Sequence, residues 1–187
     1  LRRMEKQRKA EAKSTNDTYL VKGIGRVLKF LNEEIASIEK EASQHADNYG
    51  LLAAWVAALM TIPGVAKVTA LLVVSELACL PDDLDAKQLT AYAGLDPQSH
   101  QSGKTDWNRG ISRRGNRRLR STLYLAAWNT SRCSPEIGEW RQRLIERGKA
   151  PKLANIAVAR KLLLVSYAMR KKPSTWDGSR FGTKKSP

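Results

Sequence analysis

The sequence predicts an all-α fold: a coiled-coil-like arm over residues 1–48, a compact helical domain over 49–177 containing a helix-hairpin-helix-like element, and a flexible tail over 178–187. Two observations carry this reading. Apolar residues recur at spacings of three and four, and no alternating run marks a half-buried strand. Proline and glycine fall at points where one periodic stretch stops and the next begins, as helix ends require. The length of 187 residues suffices for one real core.

Residues 1–14 are charged, rich in helix formers and poor in core residues, so they read as a solvated helix or the end of a linker. From about Asn16 to Asp47, Ile24, Leu28, Leu31, Ile35, Ile38 and Ala42 form an a/d seam of nearly three heptads. Gly23 and Gly25 weaken its first turn. His45 falls on the next d position and reads as a packed seam residue. Such a seam needs a partner helix, from this chain or a second copy.

Leu51 to Met60 is apolar nearly all round and reads as a buried helix. Pro63-Gly64 breaks it, and an apolar helix restarts and runs to about Cys79. In a helix-hairpin-helix, the glycine loop and the next helix N-terminus aim N–H groups at a phosphate. Gly64 and Lys67 are the candidate DNA contacts here. Ala66 stands where a second loop glycine is usual, and a purely structural αα-hairpin is the alternative.

Pro81 to Asp85 reads as a turn, with Asp85 capping a short helix from Ala86 to Ala93 and Gly94 ending it. Asp96 to Gly110 shows no period and reads as an ordered functional loop. After Gly115-Asn116 a helix runs to about Ser131, with Leu119, Leu123, Ala126 and Ala127 inward. Arg113, Arg117 and Arg120 would align at i, i+4 and i+7, with Arg114 and Arg118 in a neighbouring row. Ser134-Pro135-Glu136 starts the next helix, which Gly148 ends. Pro151 opens the last, with Leu153, Ile156, Ala157, Leu163, Leu164 and Tyr167 inward. Arg160 packs its stem there while its head reaches out or meets a partner. Residues 171–187 read as a loose tail.

The formal charge is +15, and it is segregated. Residues 100–172 hold 18 Lys and Arg against 4 Asp and Glu; the remainder holds 15 against 14. A basic excess confined to one region favours a polyanion-binding surface over a general solubility charge. No apolar run reaches membrane-spanning length. Cys79 and Cys133 lack metal-type spacing and read as reduced core or near-core residues of a cytoplasmic protein. The chain starts at Leu1 rather than methionine, so a preceding segment is expected.

Within the basic region, Ser102-Gly103 leads into a run of arginines. A serine hydroxyl can attack a phosphodiester in line, with cations neutralising the equatorial oxygens. Gly103 leaves room for a phosphate, and His100 can assist proton transfer. Lys104, Arg109, Arg113, Arg114, Asn116, Arg117, Arg120 and Arg160 are the phosphate-binding candidates, arginine offering a bidentate fork. Ser99, Thr105, Ser112 and Ser121 are competing hydroxyls, and a serine beside glycine is also simply a turn. Asp82, Asp83 and Asp85 are explained by turn and cap, so no metal site is expected within this chain.

An ordered set of motifs goes further: Ile62-Pro63-Gly64-Val65, Thr69-Ala70, Ala91-Tyr92-Ala93-Gly94-Leu95-Asp96-Pro97, Ser102-Gly103, Gly110 to Arg120, Ala126-Ala127 and Arg160-Lys161-Leu162. Over residues 50–177 this resembles the C-terminal transposase domain of the DEDD insertion-sequence transposases, the Piv-type, bridge-RNA-guided serine-using recombinases. The segment before residue 50 resembles that family's coiled-coil linker. The resemblance implies that Ser102 is the catalytic serine, forming a phosphoserine link to DNA. It implies Mg²⁺ in an acidic RNase H-like domain that precedes this segment in family members, and no cofactor within it. The implied partners are double-stranded DNA, a bridge RNA and further copies of the chain, as dimers or tetramers through the coiled coil. The alternatives are a non-catalytic nucleic-acid-binding helix-hairpin-helix module and a coiled-coil assembly protein with an incidental basic surface.

Overall fold

The computed structural model describes residues 1–14, 18–102 and 105–181, with the backbone alone described for 98–102, 105–109 and 180. Among them are eight α-helices and one two-stranded ladder, so the fold is all-α as predicted. The chain divides into two units, Leu1–Tyr49 and Gly50–Pro187.

In the first unit, α1 (Arg2–Ser14) packs against α2 (Thr18–Asp47), giving the seam a partner within the chain. α1 buries no residue of its own. Arg2 pairs with Glu39, and Lys9 pairs with Glu5. Leu31 is buried and Ile24, Leu28 and Ile35 are half-buried, but Ile38 is 51% exposed and Ala42 is also exposed. The seam is therefore covered only along its N-terminal part. His45 is not packed into it: its ring is exposed, edge-on to Tyr49 at 5.3 Å.

The second unit is built around α8 (Pro151–Lys171), which packs against α3 (Gly50–Met60), α5 (Ala86–Tyr92), α6 (Arg117–Cys133) and α7 (Pro135–Glu146). α4 (Lys67–Leu77) packs against α3 and α6. Trp55, Leu59, Leu77, Leu89, Leu119, Leu123, Ile137, Leu162 and Leu163 fill the core. The expected inner face of α6 is the buried one. On α8 the inward face is Ala154, Asn155, Val158, Ala159, Leu162, Leu163, Ser166 and Tyr167. Leu153 is 37% exposed, and Ile156, Ala157 and Leu164 are half-buried. Small and polar residues, invisible to a search for large apolar ones, occupy the face toward α6: Asn155 donates through Nδ2 to the Tyr124 carbonyl at 3.1 Å.

Three further expectations are corrected. Cys79 and Cys133 are free thiols but exposed rather than in the core. The stretch read as a loop contains β1 (Pro97–Ser102) and β2 (Thr105–Ile111), paired antiparallel with Ser102 opposite Thr105 and Pro97 opposite Ile111. The segment after α8 is not loose through residue 181. Phe181 is 5% exposed, and the Trp176 N–H donates to Thr61 Oγ1 at 2.8 Å. The Lys161 ammonium lies 4.7 Å from the Phe181 ring centre and 5.1 Å from that of Trp140, a cation–aromatic clasp. Burial there pushes the Lys161 pKa down. Residues 182–187 lie outside those described.

Candidate functional site

The β-hairpin rises from a root that the chain closes by backbone hydrogen bonds. Ser112 N–H donates to Asp96 O at 2.9 Å, Arg113 N–H to Gly94 O at 3.2 Å, and Asn116 N–H to Tyr92 O at 2.6 Å. The Ser112 hydroxyl donates to the Asp96 carboxylate. These bonds tie the end of α5 to the start of α6, so both hairpin legs leave from one rigid junction.

Two glycines make that junction possible. Gly94 sits at φ 63°, a left-handed conformation that L side chains adopt at a cost. At Gly115 the constraint is space. A Cβ there would fall inside the Tyr92 carbonyl oxygen and 2.6 Å from that of Ala91. Asn116 then caps α6, its Oδ1 accepting from Leu119 N–H at 3.0 Å. Its Nδ2 donates to Glu76 Oε2 at 2.6 Å and to the Tyr92 hydroxyl at 3.2 Å. Glu76, which the sequence did not single out, also pairs with Arg118 at 3.5 Å. Reaching from α4 to the hairpin root, it brings a carboxylate to the cationic surface. Only its separation of 40 residues from Asn116 hid it.

The arginines divide into two sets. Arg113 and Arg114 lie in the root rather than on the helix, Arg113 at φ 57°, so the row expected from Arg113 through Arg120 does not form. Arg113, Arg114, Arg117 and Arg118 are exposed around the α6 N-terminus. Their charge and the helix's partial positive end add there, a combination suited to anions. Arg120 turns inward: its Nη1 donates to the Ala93 carbonyl at 3.0 Å and the Gly115 carbonyl at 3.2 Å. Asn116 is committed to its cap and to Glu76. Arg160 is half-buried on α8, with no hydrogen bond or ion pair to the root among the described residues.

Ser102 lies on the last residue of β1, five residues beyond Pro97. At about 3.3 Å per residue this places it roughly 16 Å along the strand from the root. The side chains of His100, Ser102 and Arg109 lie outside what is described, as do Gly103 and Lys104 entirely.

The α3–α4 hairpin holds Gly64 at φ 85°, and a Cβ there would stand 2.9 Å from the Asn129 carbonyl carbon and 3.0 Å from Thr130 N on α6. Close packing on α6 thus accounts for this glycine. Ala66 offers α4 no side-chain cap. Among the described residues, no group of three or more His, Cys, Asp or Glu could hold a metal ion, and no helix is long and apolar enough to cross a membrane.

Residues 56–142, from α3 through most of α7, match the family described as Transposase IS116/IS110/IS902. The chain is similar to the pilin gene-inverting protein of Moraxella bovis, at 35% identity over 121 residues, 64% of this chain and 38% of that protein. It is also similar to the transposase of insertion sequence element IS1111A from Coxiella burnetii, at 31% over 122 residues, 63% of this chain and 33% of that protein. The transposase of IS1328 from Yersinia enterocolitica is 29% identical over 159 residues, 81% of this chain and 46% of that protein. The chain spans less than half the length of these relatives. The hairpin, its root and the exposed arginines all fall inside the matched segment.

Proposed function

We propose, from the match of residues 56–142 to the Transposase IS116/IS110/IS902 family, that the compact unit of this chain is the DNA-binding, serine-bearing part of an insertion-sequence transposase that cleaves and rejoins DNA strands. The observation that supports this most is the hairpin root. One end of the hairpin carries four exposed arginines at a helix N-terminus, and its far end carries Ser102. A duplex held through its phosphates at the root would lie beside the strand that ends in Ser102.

In the proposed step, Ser102 Oγ gives up its proton and attacks phosphorus. The bond to the leaving deoxyribose oxygen breaks, and that oxygen takes a proton, leaving a phosphoserine diester. Attack by a second strand's hydroxyl reverses the chemistry and restores the serine. Arg113, Arg114 and Arg117 hold non-bridging oxygens. Arg120 holds the root rather than the DNA. Lys104, Arg109 and Arg160 are proposed as further phosphate contacts, and His100 as a proton relay. At the α3–α4 hairpin, Lys67 and the outer side of Gly64 are a proposed second contact. Mg²⁺ is proposed to come from an acidic domain outside these residues. Self-assembly is proposed to use the uncovered side of α2, where Val27, Phe30 and Ile38 are exposed. A guide RNA is proposed as a further partner.

The experiment is adduct trapping. A complete transposase carrying this domain is incubated with a nicked DNA that cannot religate. The expected result is a covalent protein–DNA adduct, lost in Ser102→Ala while DNA binding stays within about threefold, since a backbone clamp of several phosphates is untouched. An adduct that persists in Ser102→Ala overturns the assignment of the nucleophile. Affinity that does not fall with salt overturns the DNA clamp.

A further inference from the structure

α6 carries a second surface, outside the core, that shares only Arg118 with the hairpin root. Arg118, Ser121, Leu125, Trp128 and Arg132 follow at spacings of three, four, three and four, which lays them along one side of the helix. All five are exposed. Leu125 is 64% and Trp128 48% exposed, in mid-helix, where a packed domain would ordinarily cover such chains. Arg141 of α7 places its guanidinium carbon 5.2 Å from the Trp128 ring centre. The Arg141 Nε is buried without a hydrogen-bond partner. α6 contains no acidic residue. The surface is therefore cationic at its Arg132 end, has Arg118 paired with Glu76 at the other, and carries between them an aromatic ring over which the Arg141 guanidinium lies.

Three kinds of occupant fit parts of this surface. An apolar protein face would cover Leu125 and Trp128 but strand Arg132 and Arg141 without counter-charge. A duplex would supply phosphates but keep its base faces stacked inside, so Trp128 would gain little. A single strand supplies both phosphates and open base faces, and stacking on an exposed aromatic ring is how such strands are held without reading sequence. We propose that the outer face of α6, with Trp128 backed by Arg141 as its stacking plate, binds an unpaired DNA strand. The choice of DNA over RNA rests on the strand-cleaving reading above, since cutting and rejoining duplexes separates strands beside the site.

The test is fluorescence anisotropy of the chain with a labelled oligothymidylate, the matching oligouridylate and a duplex. Trp128→Ala is expected to weaken oligothymidylate binding about tenfold, and Trp128→Phe, which keeps a ring, to stay within about threefold of the native chain. Duplex affinity should be unchanged, and circular dichroism should show the native helix content in both variants. Arg141→Gln, with the ring kept but unbacked, should fall between the two. Equal oligothymidylate binding by the native chain and Trp128→Ala overturns the proposal. So does a Trp128-dependent preference for oligouridylate, which assigns the face to RNA. A drop in sedimenting mass in Trp128→Ala assigns it to a second copy and also overturns it. Failure of the hairpin-root reading is told apart by Arg114→Gln with Arg117→Gln. If that pair leaves duplex affinity intact while oligothymidylate binding still depends on Trp128, the root reading fails and the α6 face stands.

Discussion

Two sets of arginines on one domain do opposite work. Arg120 and Arg170 face inward and direct their forks at backbone carbonyls near helix ends. Arg120 serves Ala93, just past α5. Arg170 serves Leu77 at 3.2 Å, Ala78 at 3.1 Å and Leu80 at 2.6 Å, at and just past the end of α4, and pairs with Asp82 at 3.1 Å. Helix C-termini leave carbonyls unsatisfied and carry partial negative charge, so a guanidinium there satisfies both. Arg113, Arg114 and Arg117 make no side-chain hydrogen bond or ion pair among the described residues, and they stand at a helix N-terminus, where a cation adds to the positive end. An arginine at a C-terminus explains itself structurally. Three at an N-terminus cost stability unless something anionic arrives.

The comparison breaks first at the junction that separates the two sets. Gly115→Ala puts a methyl against the Tyr92 and Ala91 carbonyls, which are backbone and cannot turn away. We expect a loss of about 3 kcal/mol, or roughly 6–12 °C in a thermal melt for a chain of this size. A melt within 2 °C of native, by the same scale of about 2–4 °C per kcal/mol, would mean the junction is not rigid and the hairpin root not fixed.

Next comes the inward set. Arg170→Met should cost about 2–3 kcal/mol, because it strands carbonyls that a charged donor satisfied. Arg170→Lys keeps the charge but not the fork, and should recover less than half of that in urea titration. Full recovery by lysine would mean that charge alone matters there.

The outward set predicts the reverse pattern. Arg114→Gln with Arg117→Gln should leave stability within about 0.5 kcal/mol of native, as exposed substitutions do. The slope of log affinity against log salt for duplex DNA should become shallower by about 0.9 for each phosphate that is no longer neutralised. A native slope in the double variant would remove these two side chains from the clamp.

How much of this was legible in the sequence follows from what each feature depends on. The helices declared themselves because caps and breakers are local: Asp85 with Gln88 forms a capping box, and Ser134 with Pro135 starts α7. The family resemblance survived because motifs are local too. The β-hairpin escaped because its strands are polar and show no apolar alternation, although Gly103-Lys104 between them is a short-turn signal. Arg120 read as a surface cation because only the fold brings the Ala93 carbonyl to it. Glu76 escaped for the same reason, as did Trp176 and Phe181, two aromatics in a segment whose lysines and prolines suggested disorder. The serine was picked by chemistry and resemblance, and its strand position came from the fold.

The smallest expected effect tests whether a helix N-terminus in this domain rewards negative charge as the outward arginines imply. Glu136 lies in the first turn of α7. The Ser134 hydroxyl donates to its Oε2 at 2.6 Å, and that bond first, then the backbone N–H of Glu136 itself, holds its carboxyl below the ordinary glutamate range. A carboxylate whose folded pKa is depressed stabilises the fold above its unfolded pKa and loses that contribution as pH falls through the folded value. Glu136→Gln should therefore lower the melting temperature slightly near pH 7, with the gap closing as acid protonates the native carboxylate. A gap that stays constant between neutral pH and pH 3, about 1.3 units below the ordinary glutamate value, would mean that glutamate acts there by hydrogen bonding alone. The N-terminus of α6 would then have to attract phosphate through its arginine side chains, with no help from the helix.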